Sequence, residues 1–324
     1  MEGAISSLLN SRIAVVTGGN KGIGLEVCRQ LARNGITVIL TARDETRGRA
    51  TIEKLRDLGL CSVIFHQLDV TDAVSVAQLA DFLKTHFGKL DILVNNAGVS
   101  GLECAQDNVG VSEEKLSGMD MNQRIELVLR SCRETCDSGR QCLRTNYYGT
   151  KQVTEALIPL LQASEDGRVV NVSSELEQLR VFSNEQLKQE LDDAEKLTEE
   201  RLDAVVAAFE KDMEAGLLLL EARGWSLGLS AYKASKAAMN AYTRIMARRH
   251  PELRVNCVHP GYVKTDLTVH SGFLTPEEGG SRVVAVAMLP DRRVLHGSPA
   301  GAVRLILSTR ASTAMRTACL TETI

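Results

Sequence analysis

The sequence predicts an α/β protein, built as a single doubly wound parallel sheet with helices on both faces. Two observations predict it. Short runs of β-branched and leucine residues alternate along the chain with helical patterns of about ten or more residues, which is typical of βαβ units. A glycine-rich turn directly follows the first of these runs. Ligands of such sheets bind beyond the carboxyl ends of the strands, so functional residues are expected there.

Each element follows from its residue pattern. The runs predicted as strands are Ile13–Thr17, Thr37–Thr41, Val63–Leu68, Ile92–Val94, Arg168–Val172 and Arg254–Val258. The amphipathic stretches predicted as helices are Leu25–Arg33, Arg47–Leu58, Ser75–Phe87, Arg144–Leu161 and Ala231–Arg249. No Pro-rich or low-complexity linker divides the chain, so residues 1–324 are expected to form one Rossmann-type domain.

Two long insertions interrupt the alternation, at about residues 100–140 and 175–230. The second carries strong helix signals: Ser183 with Gln186 predicts a capping box, and Thr198 predicts the start of a further helix. Apolar residues recur at helical spacing in that further helix, so one of its faces must be buried. They are Leu202, Val205, Val206, Phe209 and Met213.

Composition excludes several classes of protein. The net charge of −3 gives no basic surface for nucleic acid, and no stretch approaches the ~20 apolar residues that cross a bilayer. The first residues do not resemble a signal peptide, so a cytoplasmic location is expected. The cysteines form no tight C-x-x-C pair, although Cys132, Cys136 and Cys142 cluster with Cys104 upstream. We therefore expect reduced thiols and no metal site.

The glycine-rich turn has the spacing G-x-x-x-G-x-G between the first strand and the first helix. Glycine lets the backbone approach a pyrophosphate closely, and the helix that follows offers free N–H groups to the anion. Glycine in a turn also has purely conformational uses, and the strand–helix context favours a cofactor loop. The residues predicted to hold the cofactor are Gly18, Asn20, Lys21, Gly22, Ile23 and Gly24.

Arg43 ends the second strand, where a carboxylate usually meets a free ribose 2′-hydroxyl and an arginine meets a 2′-phosphate. Arg43 and Lys21 thus predict NADPH as the cofactor. Two alternatives stay open: the adjacent Asp44 is a displaced acid for NADH, or Arg43 is an ordinary solvated charge.

Tyr232 and Lys236 are four residues apart, on one face of a predicted helix. The lysine ammonium favours the tyrosine phenolate and lowers a pKa that is ordinarily about 10, which makes Tyr232 a general acid near neutral pH. A serine pair ends the strand Arg168–Val172, and a hydroxyl there can hydrogen-bond a substrate carbonyl. Either Ser173 or Ser174 could serve, and the family pattern described next favours Ser174.

Over about residues 10 to 290, these motifs together resemble the short-chain dehydrogenase/reductase family. The resemblance implies that Ser174, Tyr232 and Lys236 are catalytic, and that Asn146 holds a proton-relay water to the lysine. Asn146 could also be a helix-face polar residue. The resemblance also adds residues at the adenosine and nicotinamide ends of the cofactor site: Asp69, Val70, Asn96, Ala97, Gly98, Pro260, Gly261, Val263 and Thr265.

The long stretch between Ser174 and Tyr232 resembles a narrower group, the monomeric carbonyl reductases, which include plant menthone and neomenthol dehydrogenases and salutaridine reductase. The resemblance implies NADPH-linked reduction of a hydrophobic ketone or aldehyde, often a terpenoid or alkaloid, by a monomer. Small-molecule carbonyls are the expected partners. Two rival hypotheses remain: an NAD-linked alcohol oxidase, and an impaired NADPH-binding protein with little turnover.

The tail, residues 291–324, departs from that family. It contains five arginines, no lysine and no aromatic residue, and only Val303–Leu307 resembles a strand or a helical turn. We expect an altered C-terminus that is disordered or loosely docked, so that the sheet lacks its last edge strand.

Overall fold

The computed structural model describes residues 11–104, 113–193, 195–290 and 305–307. One seven-stranded sheet lies at its centre, in the strand order β3-β2-β1-β4-β7-β8-β9. The strands are β1 Ile13–Val16, β2 Thr37–Ala42, β3 Val63–Gln67, β4 Ile92–Asn95, β5 Glu103–Cys104, β6 Cys132–Arg133, β7 Arg168–Val172, β8 Arg254–Val258 and β9 Leu305–Leu307. The sheet strands before β9 pair in parallel, which confirms the predicted doubly wound sheet. Each predicted strand lies within one residue of its observed bounds.

Helices cover both faces of this sheet. They are α1 Gly22–Arg33, α2 Glu45–Asp57, α3 Ala73–His86, α4 Glu113–Leu116, α5 Met121–Ser131, α6 Cys136–Leu143, α7 Thr150–Gln162, α8 Glu185–Asp192, α9 Glu199–Ala215, α10 Leu217–Ala222, α11 Ser230–Arg249 and α12 Pro276–Ala287. Side chains alternate along each strand, so Ile13 and Val15 join one core cluster while Ala14 and Val16 join the other. None of the helices in the described ranges combines the length and apolar character that spanning a membrane requires.

A short strand lies at the edge of the sheet that was expected to stay unpaired. Leu305–Leu307 pairs antiparallel with β8, opposite Asn256, Cys257 and Val258. The expectation of an unpaired edge is therefore wrong for these three residues, which belong to the stretch Val303–Leu307 that resembles a strand. The other residues of the tail prediction, 291–304 and 308–324, lie outside the described residues.

A disulfide joins Cys104 to Cys132. These residues lie directly opposite each other in the antiparallel ribbon of β5 and β6, within the first insertion. The expectation of reduced thiols is therefore wrong for this pair, because a pairing 28 residues apart in sequence follows from strand register and leaves no local spacing signal. Cysteines 28, 61, 136, 142 and 257 form no disulfide within the part of the chain that the structure describes.

The second insertion folds into helices packed on the sheet domain. Thr198 caps α9 as predicted, with its hydroxyl accepting from the Arg201 amide at 3.2 Å. All five apolar residues predicted on the inner face of α9 are buried. The capping box at Ser183 is wrong: the cap of α8 is Asn184, whose side chain accepts from the Leu187 amide at 3.0 Å. Asparagine and serine are both good caps, so the sequence alone did not distinguish adjacent candidates.

The helix predicted at Arg144–Leu161 begins earlier and is interrupted. It starts with α6 at Cys136, passes through one π-helical segment at Arg144–Gly149, and continues as α7. Such wide turns hold an extra residue and occur frequently at functional sites. Asn146 lies within this segment.

Buried amides link the central strands to the helices behind them. The Asn95 amide nitrogen donates to the Asn171 oxygen at 2.8 Å and to the Thr154 hydroxyl at 2.9 Å. Asn171 in turn donates to the Thr243 hydroxyl at 2.9 Å. Asn95 thus links β4 to β7 and to α7.

Replacing Asn171 by Leu is expected to lower the free energy of unfolding by about 1–3 kcal/mol. The apolar side chain leaves the buried Asn95 amide without its Asn171 acceptor and the Thr243 hydroxyl without its donor. Urea unfolding measures the loss. The same substitution at the exposed Asn34 is the control and should stay within about 0.5 kcal/mol of wild type. Equal losses at both positions would contradict the role of the buried amides.

Candidate active site

A cavity of about 640 Å³ lies beyond the carboxyl ends of β1, β4, β7 and β8. All the predicted cofactor residues line it, from the glycine loop to the segment after β8. Three of the four predicted catalytic residues, Ser174, Tyr232 and Lys236, line it as well. The topology thus brings together residues that are up to about 240 positions apart in sequence, as expected for a parallel sheet.

The glycine loop has no room for a side chain at Gly24. A Cβ at Gly24 would lie 2.4 Å from both the Asn96 amide nitrogen and the Gly18 carbonyl oxygen. Gly18 and Gly22 have φ of +65° and +56°, which favours glycine. Asn96 fixes the loop by donating to the carbonyl oxygens of Thr17 and Gly18 at 2.9 and 3.1 Å. The first turn of α1 begins in this cradle, so the site fits a pyrophosphate group.

The side chains at the end of β2 are better suited to a ribose 2′-phosphate than to a free 2′-hydroxyl. Arg43 is exposed and lines the cavity. Asp44 is engaged elsewhere: its carboxylate caps α2 by accepting from the Arg47 amide at 2.8 Å and the Arg47 Nε at 2.7 Å. Hydrogen bonds from the Arg47 backbone and side chain hold the pKa of Asp44 below its ordinary value. Asp44 is therefore a poor candidate for a ribose-binding acid.

Lys21 faces the segment after β8 across the same cleft. Its Nζ lies 2.5 Å from Oδ2 of Asp266, whose pKa this hydrogen bond lowers. Thr265 also approaches the loop, since its Cγ2 lies 3.3 Å from a Cβ built at Gly22. On the adenosine side, the Asp69 carboxylate accepts from the amide and hydroxyl of Thr71 at 2.9 and 2.8 Å. These contacts place the two halves of the predicted cofactor site against one another.

Ser174, Tyr232 and Lys236 all line the cavity, and the last two are in contact. Lys236 is buried, donates to the Val172 carbonyl at 2.7 Å and has its Nζ 5.8 Å from the Tyr232 ring centroid. The Ser174 hydroxyl accepts from the Leu176 amide at 3.1 Å. Ser173 is also buried, and its hydroxyl has no partner among the described residues. Both serines line the cavity, so geometry does not exclude Ser173.

Asn146 is fully buried and braces the loop after β4. Its oxygen accepts from the Val99 amide at 2.9 Å, and its nitrogen donates to the Val99 carbonyl and the Ser235 hydroxyl, each at 3.0 Å. It is therefore not a polar surface residue. The side-chain amide is occupied by these contacts, so a water relay at Asn146 stays a prediction.

Beyond Tyr232 the cavity wall is apolar. It is formed by the loop after β4, by α5 and by the residue before α11: Val99, Leu102, Met121, Ile125, Val128 and Leu229. Arg124 of α5 ties this wall to the segment after β8 by donating to the carbonyls of Ser271 and Gly272 at 3.0 and 3.1 Å. The first insertion thus contributes apolar residues to the lining of the cavity, which its sequence did not reveal.

Two polar residues of this cavity were not predicted as site residues. His259 Nδ1 accepts from the Glu175 amide at 3.1 Å, and its Nε2 lies 3.7 Å from the Glu175 carboxylate. Nδ1 is therefore the unprotonated nitrogen of this ring. The position of Glu175 directly after the serine pair was the one sequence signal that could have identified it.

Comparison with known proteins identifies the family of this chain. The short chain dehydrogenase model matches residues 12–185 and 223–272, which leaves out most of the second insertion. Salutaridine reductase of Papaver somniferum is 47% identical over 88% of this chain and 93% of its own length. Its solved structure superposes with a TM-score of 0.81 at 48% identity, covering 87% of this chain and 97% of that one.

Two further relatives extend the comparison. The (+)-neomenthol dehydrogenase of Arabidopsis thaliana is 46% identical over 88% of this chain and 94% of its own length. The NADPH carbonyl reductase 1 of Homo sapiens is 36% identical over 88% of this chain and 94% of its own length. The chain therefore belongs to the short-chain dehydrogenase family and is an oxidoreductase that acts on carbonyl or alcohol groups.

Proposed function

We propose that this protein is an NADPH-dependent reductase of hydrophobic ketones or aldehydes. One observation carries the proposal: Ser174, Tyr232 and Lys236 line a single cavity that has a pyrophosphate cradle at one end and an apolar wall at the other. The names of the relatives support it, since they include a salutaridine reductase and an NADPH carbonyl reductase. An apolar wall suits a terpenoid or alkaloid carbonyl.

The chain's own residues would position and protonate the substrate. NADPH, when bound, supplies the hydride. The hydroxyls of Ser174 and Tyr232 would hydrogen-bond the substrate carbonyl oxygen, and Tyr232 would donate its proton as negative charge develops there. The Lys236 ammonium would stabilise the phenolate that remains and would hold the nicotinamide ribose. Asn146 would connect Lys236 to solvent through a water.

A screen of ketones and aldehydes for loss of NADPH absorbance tests this function. We expect turnover with hydrophobic carbonyls and little with small polar ones. Tight NADPH binding without turnover of any carbonyl would favour the impaired binding protein instead. Oxidation of alcohols with NAD that outpaces every reduction with NADPH would favour the alcohol oxidase.

Cofactor preference is expected to depend on Arg43. Replacing Arg43 by Asp should reduce the NADPH over NADH preference by roughly 10- to 150-fold, because one charge-assisted contact of about 1.5–3 kcal/mol is lost. Steady-state kcat/KM with both cofactors measures it. Arg49→Asp is the control, because Arg49 pairs with Glu45 on the exposed face of α2. Arg47 is not suitable for this purpose, since it contacts Asp44. Equal efficiency of the wild type with both cofactors would refute the assignment of NADPH.

We also propose that the protein is a monomer. Related proteins with a short gap before the catalytic tyrosine pair through the helices that correspond to α7 and α11. Here Val205, Val206 and Phe209 of α9 pack near Ala234 and Ala238 of α11. Asp203 of α9 also accepts from the hydroxyl of Tyr147 and the ammonium of Lys151, each at 2.7 Å. The second insertion thus covers the surface that pairing would use. Light scattering should give the monomer mass, and a dimer mass would contradict the proposal.

A further inference from the structure

We propose that Glu134 is a positioning residue that fixes the first turn of the catalytic helix α11 and, through it, the phenol of Tyr232. The inference rests on the proposed function, because it concerns the proton donor of that reaction. Glu134 does not line the cavity and belongs to none of the motifs above. It lies 98 positions before Tyr232, in the first insertion.

The start of α11 lacks a cap of its own. The residue before the helix is Leu229, whose backbone is left-handed at φ 56° and whose side chain offers no acceptor. Glu134 supplies the acceptors from another part of the chain. One carboxylate oxygen accepts from the Ser230 amide at 2.9 Å, and the other accepts from the Ala231 amide at 2.7 Å. Both amides belong to the first helical turn, where intrahelical acceptors do not exist.

This carboxylate is held rigidly in place. Cys132, two residues earlier, is joined covalently to Cys104. Thr135, the next residue, begins α6 with a reciprocal capping box to Ser138. Helix α6 packs closely on α11, since a Cβ built at Gly139 would lie 3.3 Å from the Ala231 Cβ. The disulfide and the helix cap therefore hold the backbone on both sides of Glu134 beside the start of α11.

The alignment bears directly on the proton donor. Tyr232 is the third residue of α11 and follows the two amides that Glu134 accepts from. If that turn frays, the phenol moves relative to Ser174, although Lys236 stays anchored one turn later on the Val172 carbonyl. A carboxylate at this helix end also favours the helical conformation through its charge. Loss of Glu134 should therefore affect proton donation while leaving cofactor binding intact.

A double-mutant cycle on the full-length protein tests the inference. Glu134→Ala should lower kcat for a hydrophobic ketone by about 10- to 100-fold with NADPH affinity unchanged, because small misplacements of reacting groups cost that much. Glu134→Gln should lie between, since its one carbonyl oxygen can still accept from one amide. In the Tyr232→Phe background, Glu134→Ala should cause no further loss in the single-turnover rate constant. Thr198→Ala, which removes the cap of α9 away from the cavity, is the stability control and should leave kcat unchanged.

The outcomes separate this inference from the proposed function. A loss of the same size in both the wild-type and Tyr232→Phe backgrounds would show a general structural role and overturn the inference, as would an unchanged kcat in Glu134→Ala. If Tyr232→Phe itself keeps its rate, the proposed function fails instead. In that event amide hydrogen exchange still decides whether Glu134 fixes this turn: exchange at Ser230 and Ala231 should accelerate in Glu134→Ala, and unchanged exchange would overturn the assignment.

Discussion

Tyr232→Phe is expected to retain NADPH binding and to lose turnover by about 10²–10⁴-fold, the usual size of general acid catalysis. The substitution removes only the phenolic hydroxyl, so the ring keeps its packing against the cavity. Lys236 keeps its hydrogen bond to the Val172 carbonyl and its place beside the ring. Cofactor titration by fluorescence, together with steady-state reduction of a hydrophobic ketone, measures the two effects separately.

Tyr242→Phe is the matched control for that experiment. Tyr242 lies on the same helix, is fully buried, and its hydroxyl has no hydrogen-bond partner among the described residues. Burial raises the pKa of Tyr242, and its side chain does not line the cavity. Its turnover should match that of the wild type. A Tyr232→Phe variant that is as active as Tyr242→Phe would place the proton donor elsewhere.

Lys236→Ala is expected to damage both cofactor binding and turnover. The ammonium is buried between the end of β7 and Tyr232, where it would hydrogen-bond the nicotinamide ribose and stabilise the phenolate. A hydrogen bond to a charged group contributes about 1.5–3 kcal/mol, so its loss should weaken NADPH binding by roughly 10- to 150-fold. The rate loss should be comparable with that of Tyr232→Phe, because both variants disable the same proton transfer.

Lys233→Ala provides the comparison for Lys236. Lys233 is partly buried on the same helix but donates to the Ser226 hydroxyl and the Leu227 carbonyl, both at 2.9 Å and outside the cavity. The Lys233→Ala variant should be somewhat less stable than the wild type and should keep the NADPH affinity of the wild type. Equal effects of the two lysine variants on cofactor binding would contradict the specific role of Lys236.

The residues of the glycine loop and the pair Tyr232 and Lys236, which line the cavity, were predictable because each one is tied to a local pattern. Gly24 must be glycine in a strand–helix turn, and Tyr232 and Lys236 must be one helical turn apart. Such constraints leave a signature within a few residues of sequence. Parallel connections then place the turns that follow the strands at the carboxyl edge of the sheet.

The features that the sequence did not predict all depend on register or on distant contacts. Cys104 meets Cys132 only because β5 and β6 pair in one particular register. Glu134 meets Ser230 and Ala231 only because α6 packs against α11. The short strand β9 depends on an unpaired edge of β8 that no local pattern reports. These interactions become visible only when the elements are placed in three dimensions.

The π-helical segment at Arg144–Gly149 makes the length of this stretch as important as its composition. Deleting one residue there would close the wide turn into a regular helix, because a π-helical turn holds one residue more than an α-helical turn. The turn that carries Asn146 would then be reshaped, and the side chain would lose its hydrogen bonds to Val99 and Ser235. We therefore expect this stretch to accept substitutions at its surface positions while rejecting any single-residue insertion or deletion. In an alignment of related sequences, the gaps should fall outside it.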